Sequence, residues 1–341
     1  MKLLNQYLGQ RRLARVRPPV PPVARIAVTT KPVFGPWGGG NQWLLQFSRY
    51  MHYSGYEVVH DLRGGADGVI IQHNGLTGAM SIGFEELAAA KRNNPRLRVV
   101  HRINDNDIRK ATTEMDALMA RYNTLADHTV FISEWLRDHH AAKWFDRAKP
   151  HTCILNGADP SVFHPIGSPT WKRGEPFRFV THHWADNPMK GFPHYAMLDD
   201  LIASGDLPGV ELWVIGRWPK DLIWKSARTF APCAGPALAS LLRQCHGYLT
   251  ASLWEPGGMH FIEGLQCGLP ITYHKDGGGI PELAKFYGTG FRGDRDDLSF
   301  AVRSLLDDYR YFRDRVLTRP PSGDGMCLAY REIIQRVLAE R

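Results

Sequence analysis

The chain has 341 residues, 43% of them hydrophobic and 22% charged, which is the balance of a protein with a core rather than of a disordered chain, and its length suits two domains of about 150 residues each. No uncharged apolar run approaches the ~18 residues of a membrane span, and Leu3 and Leu4 lead into polar and basic residues instead of the apolar block of a secretory leader. The formal charge of +8 is uneven: residues 1–25 hold Lys2, Arg11, Arg12, Arg15, Arg17 and Arg25 and no acid, so the body is almost neutral and no nucleic-acid partner is expected.

Residues 1–22 form a basic tail that ends in the stiff spacer Pro18-Pro19-Val20-Pro21-Pro22. Leu3, Leu4, Tyr7 and Leu8 beside Arg11, Arg12 and Arg15 would permit weak peripheral contact with an anionic membrane face; disorder is the favoured alternative. Folding begins after the spacer. Segments 24–30, 57–62, 68–74, 98–103, 128–133 and 151–156 read as strands separated by helical stretches, which predicts parallel βαβ units over a first domain at 23–165. Their apolar runs, such as Val69-Ile70-Ile71, are continuous rather than alternating, as for strands covered on both faces. Turn formers at 166–176 mark a linker. A second series, 177–183, 210–216, 247–252 and 269–274, predicts another doubly wound parallel sheet over 177–325, with a ligand cleft where the two domains face each other.

The five cysteines are widely spaced without a C-x-x-C, so neither a disulfide framework nor a zinc knuckle is expected, and a reducing cytoplasm is the simplest compartment. Gly38-Gly39-Gly40 is not the G-x-G-x-x-G of a dinucleotide site, and no P-loop is present. His139-His140 reads as a solvated pair on a helix. Asp105-Asn106-Asp107 and Asp294-Arg295-Asp296 have a D-x-D form but read as loop acids.

The richest stretch runs from Ser252 to Pro270. A strand end is followed by the tight turn Pro256-Gly257-Gly258 and by a helix that starts near Met259 and stops at Gly268. The free N–H groups of such a helix start attract an anion, and glycines let a ligand approach the backbone. Glu255 and Glu263 flank this point as hydrogen-bond acceptors suited to sugar hydroxyls.

The E-x7-E spacing of Glu255 and Glu263 resembles the retaining glycosyltransferases of family 4. So does an ordered set of further segments: Gly39-Gly40 followed after fourteen residues by Gly55-Tyr56-Glu57-Val58; Asn156-Gly157-Ala158-Asp159 with Phe163-His164-Pro165; Lys190-Gly191; and Gly278-Gly279-Ile280-Pro281-Glu282. The resemblance covers roughly residues 24–292 and implies an α/β GT-B fold, two Rossmann-like domains facing a central cleft, with a last helix at 326–341 crossing back to the first domain. It implies that Glu255 binds the donor sugar, Glu263 the ribose, Gly257, Gly258, Met259 and His260 the diphosphate together with Lys190, and Gly39 and Gly40 the phosphate and acceptor. His101 matches the family histidine near the anomeric carbon. The arginine expected about six residues before Lys190 is missing; His182, His183 or Arg217 is the expected substitute.

The expected activity is therefore transfer of a sugar, with retention, from a nucleoside-diphosphate sugar to a hydroxyl acceptor, in enzyme class EC 2.4. No cofactor and no metal are expected, since Lys190 and a helix N-terminus can stabilise the leaving diphosphate. The alternatives are a sugar-nucleotide epimerase or hydrolase on the same fold, and a non-catalytic sugar-nucleotide-binding protein. Acceptor loops are expected at 75–81 and 104–113.

Overall fold

The computed structural model describes residues 21–33, 35–73 and 80–340; the tail at 1–20 and most of the expected acceptor loop at 75–81 lie outside them. In the first half, strands β1 (Arg25–Val28), β2 (Glu57–Val59), β3 (Gly68–Ile71), β4 (Arg98–Ile103), β5 (His128–Phe131) and β6 (His151–Cys153) form a parallel sheet in the order β2-β1-β3-β4-β5-β6. Helices α1 (Gly39–Tyr53), α2 (Phe84–Asn93), α3 (Asp107–Lys110), α4 (Met115–Asn123) and α5 (Glu134–Ala141) connect them.

The second half repeats the plan. Strands β7 (Phe177–His183), β8 (Val210–Gly216), β9 (Arg228–Phe230), β10 (Gly247–Thr250), β11 (Ile271–His274) and β12 (Gly288–Phe291) pair in parallel in the order β12-β11-β10-β7-β8-β9. Helices α6 (Phe192–Ala203), α7 (Pro236–Leu242), α8 (Met259–Gln266), α9 (Ile280–Ala284), α10 (Arg295–Asp307) and α11 (Tyr309–Thr318) cover it. The apolar runs behave as their continuity predicted: every residue of β3, β5, β10 and β11 is buried, because helices lie on both faces of each sheet.

The last helix, α12 (Gly323–Ala339), belongs by packing to the first sheet. Tyr330, Ile333, Ile334 and Val337 join Trp43, Phe47, Ile26 and Val100 in one core, with the Trp43 and Phe47 rings stacked at 4.8 Å and Tyr330 edge-on to Trp43 at 5.2 Å. The chain returns to that core over Gly157, where a Cβ would come within 2.3 Å of the Ser322 carbonyl oxygen. Only a residue without a side chain admits this crossing. Gly323 N–H donates to the Ala158 carbonyl and completes it. Among the described residues no helix is long and apolar enough to cross a membrane.

Candidate active site

The cleft between the domains holds a cavity of about 720 Å³, within the range of small-molecule sites. Its wall on the second domain is the turn between β10 and α8. Four carbonyls of that turn are occupied: Asn106 Nδ2 donates to Trp254 O (3.4 Å), Gly279 N to Glu255 O (2.9 Å), Ser133 Oγ to Pro256 O (2.5 Å) and Asn156 Nδ2 to Gly257 O (2.5 Å). Three of those donors come from the first domain. The amides of Gly257, Gly258 and Met259 meet no protein acceptor among the described residues, because a helix start leaves its first N–H groups unpaired. The turn thus hands its carbonyls to the protein and its donors to the cleft, the polarity an anion requires. Trp254 stands at φ +52° just before Glu255, an uncommon backbone for a bulky residue, and such residues concentrate at functional sites.

Opposite it, α1 starts at Gly39 without a side-chain cap. A Cβ on Gly39 would sit 2.8 Å from Met259 Cγ, so the two helix starts nearly touch, and Gly38, Gly39 and Gly40 line the cleft with Gly257, Gly258, Met259 and His260.

Glu255 and Glu263 both face the cleft and are almost wholly buried. Lys190 Nζ reaches Glu255 Oε2 at 2.8 Å, and Arg109 Nε approaches Oε1 at 2.8 Å from the first domain. Burial alone would raise the Glu255 pKa, but these two cations outweigh it and hold the carboxyl well below its usual range. Lys190 is lowered from its ordinary value, burial prevailing over the pull of Glu255. Glu263 Oε2 lies 2.9 Å from His182 Nε2, while Tyr248 Oη meets His182 Nδ1 at 3.0 Å, so the ring is held from both of its nitrogens.

Of the substitutes for the missing arginine, His182 is engaged by Glu263, and neither His183 nor Arg217 brings a charge to the cleft. His183 lines the cleft, its Nε2 engaged by Tyr195 Oη at 2.9 Å and its Nδ1 unpartnered. Burial, with the nearby His260 and Lys190, holds its pKa well below the ordinary histidine value, so it can offer a neutral donor only. Arg217 is not brought into the cleft: it is exposed, and its Nη1 donates to the Trp184 carbonyl at 2.8 Å.

His101 is a second correction. It is fully buried behind the cleft-lining His73, against Asn123 of α4 at 3.2 Å, and does not itself line the cavity. Strand alternation turns its neighbour Arg102 inward instead. His139 and His140 are not solvated: His140 is enclosed, its Nε2 meeting the Asp105 carbonyl at 3.0 Å, and His139 pairs with Asp116 at 3.0 Å. Asp116, His139 and His140 lie close enough together to hold a cation, but Lys143 is already paired with that carboxylate.

The sequence reading missed Arg109, Asp105 and Lys110. They sit in the expected acceptor loop at 104–113 and line the cleft, Asp105 pairing with Lys110 and, at 3.6 Å, with Arg109. Asp107 serves the fold, accepting from Met115 N at 2.8 Å and Thr112 Oγ1 at 2.7 Å. Asp294 caps α10. The one local signal was the basic pair Arg109-Lys110 behind the acids, and it does not say which domain the side chains would meet.

Residues 227–316, which include Glu255 and Glu263, match the family described as glycosyl transferases group 1. Among solved structures, sucrose-phosphate synthase from Thermosynechococcus elongatus is 15% identical at a TM-score of 0.64, over 93% of this chain and all (100%) of that one. The fold is GT-B. HepE of Anabaena, solved in complex with UDP, shares this GT-B architecture at 15% identity and a TM-score of 0.65, covering 92% of this chain and 99% of its own. AviGT4, a glycosyltransferase involved in avilamycin A biosynthesis, does so at 16% and 0.65, covering 93% and 99%. A search of curated proteins finds no match. The family match and the GT-B fold together support a glycosyltransferase.

Proposed function

We propose that the chain transfers a sugar with retention from a nucleoside-diphosphate sugar to a hydroxyl acceptor, without a metal. One observation carries this reading: the free amides of residues 257–259, the Lys190 ammonium and two buried carboxylates, Glu255 and Glu263, converge on one cleft. As the glycosyl bond breaks, negative charge grows on the diphosphate, and fixed N–H dipoles and Lys190 meet it there. Glu255, clasped by Lys190 and Arg109, is suited to accept from sugar hydroxyls rather than to act as a nucleophile. Attack from the face the diphosphate leaves, with the diphosphate taking the acceptor's proton, gives retention. Domain closure excludes water that would compete with the acceptor.

The solved neighbour HepE binds UDP, so uridine diphosphate leads the donors to be tested. The five cysteines are unpaired, which fits a cytoplasmic enzyme. Thermal shift across a panel of nucleoside diphosphates should give a clear response to at least one, because ligands that bind the native state stabilise it; Lys190→Ala and Glu263→Ala should diminish it. An unresponsive wild type would end the proposal. Consumption of the donor without acceptor would point to hydrolysis or epimerisation, and EDTA-sensitive turnover would remove the metal-free reading.

A further inference from the structure

We infer that Arg102, carried by the first domain, supplies a second positive charge, beside Lys190, that meets the donor diphosphate. The inference rests on the proposed donor site and adds a residue that neither the motifs nor the family match points to.

Arg102 is 1% exposed and lines the cleft. Its guanidinium lies 4.6 Å above the Trp43 ring, Nε donates to Tyr330 Oη at 3.1 Å, and Nη2 donates to Asn156 Oδ1 at 3.0 Å. Nη1 is buried and has no partner, and among the described residues no carboxylate pairs with the group. A guanidinium stays charged in proteins, and a buried charge is ordinarily paired. An arginine serving as a strut between β4 and α12 would be expected to spend its outer nitrogens on protein acceptors; here one outer nitrogen is left over in a residue that lines the cleft.

Its surroundings say which anion would satisfy it. Asn156, which receives Nη2, donates its own Nδ2 to the carbonyl of Gly257, so the guanidinium is two hydrogen bonds from the turn whose amides face the cleft. Trp43, beneath it, belongs to the first turns of α1, whose start abuts that of α8. The other basic groups of the cleft are less free for it: His183 is neutral, Arg217 lies outside, Lys190 and Arg109 share Glu255, Lys110 pairs with Asp105, and Lys31 is exposed. A diphosphate in the turn would therefore be gripped from both domains, and its arrival would favour the closed cleft.

The test measures binding of UDP, uridine and inorganic pyrophosphate by calorimetry and thermal shift to wild type, Arg102→Met and Arg102→Lys, at two salt concentrations. Methionine sets an apolar end over Trp43 in place of the guanidinium and removes a buried charge that has no carboxylate partner, at the cost of the bonds to Tyr330 and Asn156, so the unliganded melting temperature should stay close to that of wild type. UDP and pyrophosphate should weaken roughly 10- to 100-fold, as for loss of a charge-assisted hydrogen bond, with a shallower salt dependence, while uridine changes less than about two-fold by the same arithmetic. Should Arg102→Met fail to fold, Arg102→Lys carries the test, since a lysine lacks the fork that reaches Asn156 and the anion together; it should show the same selective loss, in smaller measure. Unaltered pyrophosphate and UDP binding in the folded variant overturns the inference and leaves the donor site standing. A wild type that binds pyrophosphate through Arg102 but no nucleoside diphosphate removes the donor reading and keeps the anion subsite.

Discussion

Glu255 is held between Arg109 and Lys190, and removing its charge acts on three groups at once. In Glu255→Gln, Lys190 faces the cleft without its carboxylate partner and Arg109 keeps only Asp105. Affinity for a nucleoside diphosphate should hold or tighten, whereas turnover of the nucleotide sugar should fall by roughly 100-fold, the usual scale for losing one fixed transition-state contact; calorimetry beside a coupled diphosphate-release assay separates the two. Arg109→Ala should leave folding intact and raise KM more than it lowers kcat, since the first domain loses one hold on the second. Unchanged kinetics would show that the Arg109 pair has no part in the reaction.

At the scale of elements, two helix starts decide the site. Gly39→Val would drive a side chain into Met259 and separate α1 from α8, so nucleoside-diphosphate affinity should drop by about an order of magnitude while the melting temperature moves little, an outcome of displaced donors rather than lost core. Glu282 joins the domains differently: its carboxylate accepts from the amides of Trp135 at 2.6 Å and Glu134 at 2.9 Å at the start of α5. Glu282→Ala should cost about 1 kcal/mol, as for a lost cap, read as a lower urea midpoint. Much of this layer is legible in the sequence. Strands β4, β7 and β8 have the predicted bounds because long buried runs mark them, and α8 starts at the predicted residue because a Pro-Gly-Gly turn does. The third strand ends at Ile71 rather than at residue 74, since Gln72 and His73 leave the sheet at its cleft edge. Strands β9 and β12 escaped notice: β9 is three mostly exposed residues and β12 holds two glycines, so neither shows an apolar run. His101 and Arg102 differ by one position in the same strand, and a period of two decides which faces the ligand; only packing reveals it. Arg109 escaped because its partner lies almost 150 residues away in the other domain.

For the whole molecule, acid is the natural adversary. His140 and His73 are held at about 4 by burial, and His183 and His260 well below the ordinary 6.5. Their unfolded forms take up protons below about 6.5 while the folded rings resist, so stability is level at neutral pH and declines as pH falls from 6.5 towards 4; His140 alone accounts for about 3 kcal/mol of that loss. Glu255, depressed in the fold, adds a loss of the same sign below the ordinary glutamate value. Melting temperatures across pH 8 to 4 should trace this fall, and a flat profile would show that these rings are hydrated.

The helix that returns over Gly157 also sets an order of events on the ribosome. The sheet made first lacks Tyr330, Ile333, Ile334 and Val337 until the portion encoding the second domain has been translated, so the half synthesised earliest is the half completed last. A nascent chain halted near residue 320 should therefore present a protease-sensitive front and a resistant rear.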